Sequence, residues 1–406
     1  MDIDTRRTIL IESLARYQAG EMSRRGVVRL IGALGLTGAG AVALGTGKLT
    51  RAAMRQEGTP PTEGEPPPAA TPVLGERPDG TRVWRVQVGA IDEAEMVEAM
   101  SFFPDEITIN VGDAVFFDFG PRFHTATFLS GEEPPRLIVQ DEASGTPTAN
   151  GPQTIINPMA GFPAGGTTYD GTGYINSGLP DPSAPPFTVT FTTPGSFDYL
   201  CLVHPQMKAR VIVQEAGSEP PMDQAGSEQL GTEQADALLA EGRALVQQRE
   251  EATPTAGAGG TVHEVSVGVG GDNVEALRFL PRDLEVKVGD TVRWTNPSMH
   301  EPHTVTFLGG EEPPELILVS PNEGGPPTLV FNPMVIFPVG SDSFDGTGLT
   351  NSGFLGQELA EVYEEFPRTS TYELTFTAPG EHGYYCVLHS GGPDDEHGMV
   401  GTITVT

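Results

Sequence analysis

The sequence predicts an all-β chain: two like domains in tandem, each a Greek-key β-sandwich, joined by a linker that carries a helix. Three observations predict it. Charged residues make up only 19% of the chain while Gly (51) and Pro (37) are plentiful, a composition of short strands and turns rather than of helices. Runs with period-two alternation stop at Gly-Asp or Pro-Gly turns. One ordered set of motifs is written twice over about 130 residues, which is a duplicated domain and not a short-period solenoid. The length of 406 residues suits two ordinary domains plus connections.

Taken in order, residues 1–55 read as an export signal or anchor. Ser23-Arg24-Arg25-Gly26-Val27-Val28-Arg29 precedes an uncharged, Gly/Ala-rich stretch from Leu30 to Leu44, which resembles a twin-arginine signal, with Ala41-Val42-Ala43 as a cleavage point. The stretch is short for a membrane span, no cysteine follows it to take a lipid, and it leaves open a membrane tether. Residues 56–80, rich in Pro, Gly and Glu, form a tether. Residues 81–215 form domain 1, with strands at Ile107–Val111, Ala114–Phe119, Phe187–Thr192 and Arg210–Val213. Residues 216–260 are a linker in which Glu233–Glu251 favours a helix, a spacer whose Leu238, Leu239, Leu245 and Val246 pack on a domain. Residues 261–406 form domain 2, with strands at Leu284–Val288, Thr291–Thr295, Tyr372–Thr377 and Gly401–Val405.

The repeat is explicit. Val111-Gly112-Asp113 returns as Val288-Gly289-Asp290, and His124-Thr125 with its Thr-Phe-Leu and Glu-Glu-Pro-Pro returns 179 residues later at His303-Thr304. Asn157-Pro158-Met159, Asp170-Gly171-Thr172-Gly173 and Asn176-Ser177-Gly178 return 175 residues later, and Cys201 with His204 returns as Cys386 with His389, 185 later. The drift places length changes in loops.

A net charge of −32, with seven bases against four acids in the first fifty residues, leaves the body of the chain strongly acidic. Such a surface repels phosphate backbones, which excludes nucleic acid as a partner and suits a solvated coat or a basic redox partner.

The two cysteines could form a single disulfide in an exported protein. The repeat argues otherwise, because each lies beside an equivalent histidine in a separate domain. His124 upstream and a Cys201-x-x-His204 loop can converge at one end of a sandwich; so can His303, Cys386 and His389. A thiolate, two imidazoles and a weak thioether suit both oxidation states of copper. Met207 and Met399, each just before a last strand, are the thioether candidates, the other reading of each being ordinary core packing.

The segment Tyr199–Val213 resembles the ligand loop of amicyanin and pseudoazurin, and Tyr384–His389 with His397–Val405 resembles that of plastocyanin, all in the cupredoxin (blue copper) family. With the Val-Gly-Asp turn and the His-Thr run, the resemblance covers both repeats. It implies two cupredoxin domains, each with one type 1 copper: His124, Cys201, His204 and Met207 in the first, His303, Cys386, His389 and Met399 in the second. It implies an electron carrier acting outside the cytoplasm, in the periplasm, at the cell surface or secreted, between redox proteins that are basic or membrane-bound, with the exposed edge of His204 or His389 as portal. The sequence leaves the oligomeric state open. Copper storage or delivery is the alternative. A two-domain copper oxidoreductase would need further histidines, and here Leu200 and Leu202, then Tyr385 and Val387, flank the cysteines, and no His-x-His occurs.

Three departures stand out. The second loop carries about five extra residues around Gly392–Glu396, set against the family spacing. The interval from first histidine to cysteine, 77 and 83 residues, is long and holds the Asp-Gly-Thr-Gly and Asn-Ser-Gly motifs, which either cover the copper end or hold the domains together. Asn296 precedes His303 as the family pattern has it, whereas domain 1 has Phe117-Asp118-Phe119. His300 competes with His303 as a ligand, and the repeat favours His303. His263 and His382 read as surface residues, and His397 as a modulator of the Met399 site.

Overall fold

The computed structural model describes residues 72–120, 122–141, 153–181, 184–252, 262–298, 300–322, 325–356 and 369–406. The export segment and most of the Pro-rich tether lie outside the described residues. Among the described residues no helix is long and apolar enough to cross a membrane.

Strands that alternate in sequence alternate in burial. Lys208–Gln214 runs exposed, buried, exposed, buried, with Val211 and Val213 in the core. Each domain is a sandwich. In domain 1 a five-stranded sheet, ordered Ile175–Asn176, Thr127–Phe128, Gly195–Leu200, Lys208–Gln214 and Glu106–Asn110, faces a sheet built on Arg82–Asp92, Ala114–Phe119 and Thr188–Phe191. Domain 2 repeats the plan, and each core holds aromatic rings at its centre: Phe117, Phe128 and Tyr199 in one, Trp294, Phe307 and Tyr384 in the other. The Gly-Asp turn that starts each Ala114 or Thr291 strand is tied down by its aspartate. Asp113 accepts from Trp84 Nε1 (3.0 Å) and Asp290 from His263 Nε2 (2.9 Å), so His263 occupies the place of a tryptophan and is a structural, half-buried residue rather than a surface one. His382 likewise stacks on Phe376.

Three devices join the domains. Val97–Phe103 and Val274–Leu280, equivalent strands in the two repeats, pair antiparallel and fuse the two domain sheets into one of eleven strands. Their register sets Val97 against Ala276, Glu98 against Glu275 and Ala99 against Val274, so a pseudo-twofold axis passes through the Glu98/Glu275 pair. The helix runs Gln224–Ala252, longer than the predicted segment, and lies across this seam: Leu239, Leu245 and Val246 pack on Val97, Val274 and Ala276. It is a clamp rather than a spacer, because its apolar positions meet strands from both domains. The long insertions supply the third device. Ile138–Asp141 and Gln153–Ile156 from domain 1 join Ile317–Ser320 and Thr328–Phe331 from domain 2 in a four-stranded sheet through Val330 and Ile155. Their apolar faces form a cluster with Val335, Ile336 and Phe354, on which Val387 and Leu388 of the Cys386 loop also rest. The insertions therefore both hold the domains together and back the cysteine loop of domain 2.

The repeated Asn-Ser-Gly locks each insertion to the sandwich. Asn176 Nδ2 donates to the carbonyls of Met159, Ala160 and Phe162 while its Oδ1 accepts from Thr127 Oγ1, and Asn351 does the same with Met334, Val335, Phe337 and Thr306. The Asp-Gly-Thr-Gly motifs are Asx turns, in which Asp170 accepts from Thr172 N and Oγ1 and Asp345 from Thr347 N and Oγ1.

Candidate metal centres

The upstream histidine of each site leaves a core strand; the cysteine and second histidine sit on the turn between the last two strands. The turn is closed by backbone pairing: Cys201 N donates to Met207 O (3.0 Å) and Cys386 N to Met399 O (3.0 Å). The extra residues of the second loop lie between His389 and Met399 and leave that closure intact, with Met399 N donating to His389 O (3.2 Å). Both methionines are fully buried in their cores.

The side chains converge. In domain 1, His124 Nδ1 and His204 Nδ1 lie 3.0 Å apart and each lies 3.9 Å from Cys201 Sγ. In domain 2, His303 Nδ1 and His389 Nδ1 are 3.2 Å apart, at 3.9 and 3.4 Å from Cys386 Sγ. Each trio brings one sulfur and two nitrogens together in a buried spot, and His303, not His300, is the member from its loop. Both cysteines are free.

The donor set is arranged for a cation. Burial pushes each thiol up, but the facing imidazoles outweigh it and hold Cys201 and Cys386 well below the usual thiol range. Burial pulls the histidines down, and their thiolate and carboxylate neighbours reverse this, raising His204 well above its usual value and His303 to about 10. Metal binding needs the sulfur and the inner ring nitrogens free of protons, so a bound metal would displace whatever protons the trio carries without it. Each sulfur also accepts a backbone N–H at 3.3 Å, from Thr125 or Thr304, whose hydroxyls in turn accept from Leu202 N and Val387 N. The buried thiolate and two imidazoles of each trio are donor types that suit copper in either state, and a buried methionine ends the same turn.

The outer ring nitrogens meet carboxylates that the sequence reading missed. His124 Nε2 lies 3.3 Å from Glu98 Oε1 and His303 Nε2 3.5 Å from Glu275 Oε1. The bulges at Gly89 (φ +72°) and Gly268 (φ +77°) make room for these rings; a Cβ at Gly268 would stand 2.7 Å from His303 Nε2. Burial pushes both glutamates up. His124 and Arg122 bring Glu98 below the usual range, whereas Glu275, without an arginine, stays above it. The signal for this pair was present as Val97-Glu98-Ala99 and Val274-Glu275-Ala276, an acid repeated inside an apolar strand.

The second histidines share one partner. His204 Nε2 donates to Glu301 Oε2 (3.1 Å) and His389 Nε2 to Glu301 Oε1 (2.9 Å). Burial opposes the charge on Glu301, yet these two donors hold its carboxyl well below the usual range. Carboxylates on Nε2 fix the tautomer and aim Nδ1 at the metal position. The edges of His204 and His389, expected to be exposed portals, are instead 7% and 8% exposed, because the two metal ends face each other across Glu301.

No family model matches the chain. It is 28% identical over 142 residues to a chloroplast plastocyanin of Chlamydomonas reinhardtii, 35% of this chain and 67% of that protein. It is 36% identical over 108 residues to the minor plastocyanin isoform of Arabidopsis thaliana, 26% of this chain and 48% of that one. The chain thus spans about half to two thirds of the length of these curated relatives. Among solved structures, a Cu(I) form of an amicyanin variant aligns with 35% of this chain and 80% of its own length, at 19% identity and a TM-score of 0.19.

Proposed function

We propose that this chain, a member of the cupredoxin family with two tandem domains, binds one type 1 copper in each domain and passes single electrons between redox proteins outside the cytoplasm. The observation that carries the reading is the twofold convergence of two Nδ1 atoms and one thiolate sulfur in buried, hydrogen-bonded positions. Copper, when bound, supplies a reversible one-electron couple. His124, Cys201 and His204, and His303, Cys386 and His389, would hold it, with Met207 and Met399 as the thioether donors. The backbone N–H groups of Thr125 and Thr304 stabilise negative charge on the sulfurs, and the glutamates keep the rings oriented. Burial of both trios excludes water, and the network of hydrogen bonds resists rearrangement, so little geometry changes when an electron arrives. Basic or membrane-bound partners fit the acidic surface, and the twin-arginine stretch fits export of a folded, metal-loaded chain.

The test is site-by-site removal. Cys201→Ser and Cys386→Ser should each lose one copper and one reversible couple while the other site persists. A single substitution that abolishes both, or neither, contradicts independent ligand sets.

A further inference from the structure

We propose that Glu301 joins the two metal centres into one electron-exchanging pair, with His204, Glu301 and His389 as the bonded route between them; this rests on the copper reading above. Each oxygen of this one carboxylate takes an N–H from a different domain, and both donors are the outer nitrogens of rings whose inner nitrogens face a metal position. Nothing else need be crossed: ring, hydrogen bond, carboxylate, hydrogen bond, ring. Electronic coupling falls off less steeply through such a chain than across a gap.

Glu301 is held for this task. Asn296 Nδ2 donates to Glu301 O (2.9 Å) and Leu355 O (2.7 Å), Asn296 Oδ1 accepts from Ser298 N (2.8 Å), and Glu301 N donates to Ser298 Oγ (3.1 Å). The repeat breaks its symmetry at this place. The equivalent position in domain 1 is Arg122, which turns to Glu98 (Nε to Oε2, 3.4 Å). A second glutamate there would crowd another negative charge into one buried gap. Adhesion alone does not account for a buried charge, whose desolvation is costly, because the shared sheet, the helix and the insertion sheet already hold the domains together.

With copper held by both trios, one electron would pass from a copper(I) to a copper(II) centre, the first being oxidised as the second is reduced. No bond breaks, and Glu301 keeps both N–H donors throughout.

The experiment uses the full chain loaded with copper and reduced by a radiolytic pulse supplying fewer electrons than centres, followed by visible absorption. The wild type should show a redistribution phase independent of protein concentration, absent in Cys386→Ser, which keeps one centre. Glu301→Ala, and the isosteric Glu301→Gln whose amide oxygen can satisfy only one of the two donors, should retain both coppers yet redistribute slower by about tenfold or more. In the copper(I) protein the Nε2 protons of His204 and His389 should be protected in NMR spectra and lose protection in Glu301→Ala. An unchanged redistribution rate in Glu301→Ala with both coppers bound overturns the bridge and leaves the copper reading standing. A chain that takes up no copper overturns both.

Discussion

Gly242→Ala sets two opposed effects against each other at the seam between the domains. In an isolated helix the change is stabilising by about 1 kcal/mol. Here a Cβ at Gly242 would stand 2.7 Å from Val274 Cγ2 and closer still to Val97 Cγ1, one valine from each domain, both fully buried. β-Branched side chains have little rotamer freedom with which to move aside, and forcing a methyl into a packed core costs about 1–3 kcal/mol. The clash wins, giving a net loss of about 1 kcal/mol. Gly226→Ala in the first turn of the same helix is the control: its nearest neighbour is Asp223 Oδ1 at 3.3 Å, the capping oxygen that accepts from Gly226 N (2.8 Å), and the next is Met222 Cβ at 3.6 Å, so part of the propensity gain should survive. Urea unfolding followed by circular dichroism, read at the first transition because a two-domain chain need not be two-state, should move the two midpoints in opposite directions. A Gly242→Ala protein stabilised as much as Gly226→Ala would refute the helix as a clamp on the seam.

Other outcomes follow from single contacts. Asn176→Ala strips three carbonyls, of which that of Ala160 is buried, and the buried Thr127 hydroxyl of their partner, and should destabilise domain 1 by about 2–4 kcal/mol in denaturant titration, with Asn351→Ala doing the same to domain 2. Trp84→Phe removes the indole donor to Asp113 and should cost about 1–2 kcal/mol, read by the same titration. The hydrogen bond from His263, with Lys287 N–H, holds the Asp290 carboxyl below its usual 3.8. A carboxyl lowered in the folded state contributes stability fully above its unfolded value and loses it as pH falls through the folded one. Stability should therefore drop on acidification below pH about 4 and drop less steeply in Asp290→Asn, measured as unfolding midpoint against pH.

The two sandwiches and the convergence of the histidines and cysteines were legible because each left a local mark: an alternating strand, a turn, a Cys-x-x-His loop, each seen twice. The strands Ala114–Phe119 and Thr291–Thr295 fall where alternation puts them. What joins the domains was not legible. Val97–Phe103 is buried at every position and so shows no alternation to read, and its pairing with Val274–Leu280 is a long-range fact carried by neither strand alone. The burial of His204 and His389 follows from that pairing, which turns the metal ends inward. Glu301 was hidden for the opposite reason: the repeat that exposed the ligands has arginine at the matching position, so matching one half to the other passed over it.

The most direct measurement is the copper content and visible spectrum of the oxidised full chain. Two coppers per chain with intense thiolate-to-copper absorption are expected from the two trios. A colourless protein, or one that binds a single copper with both cysteines intact, would contradict the account.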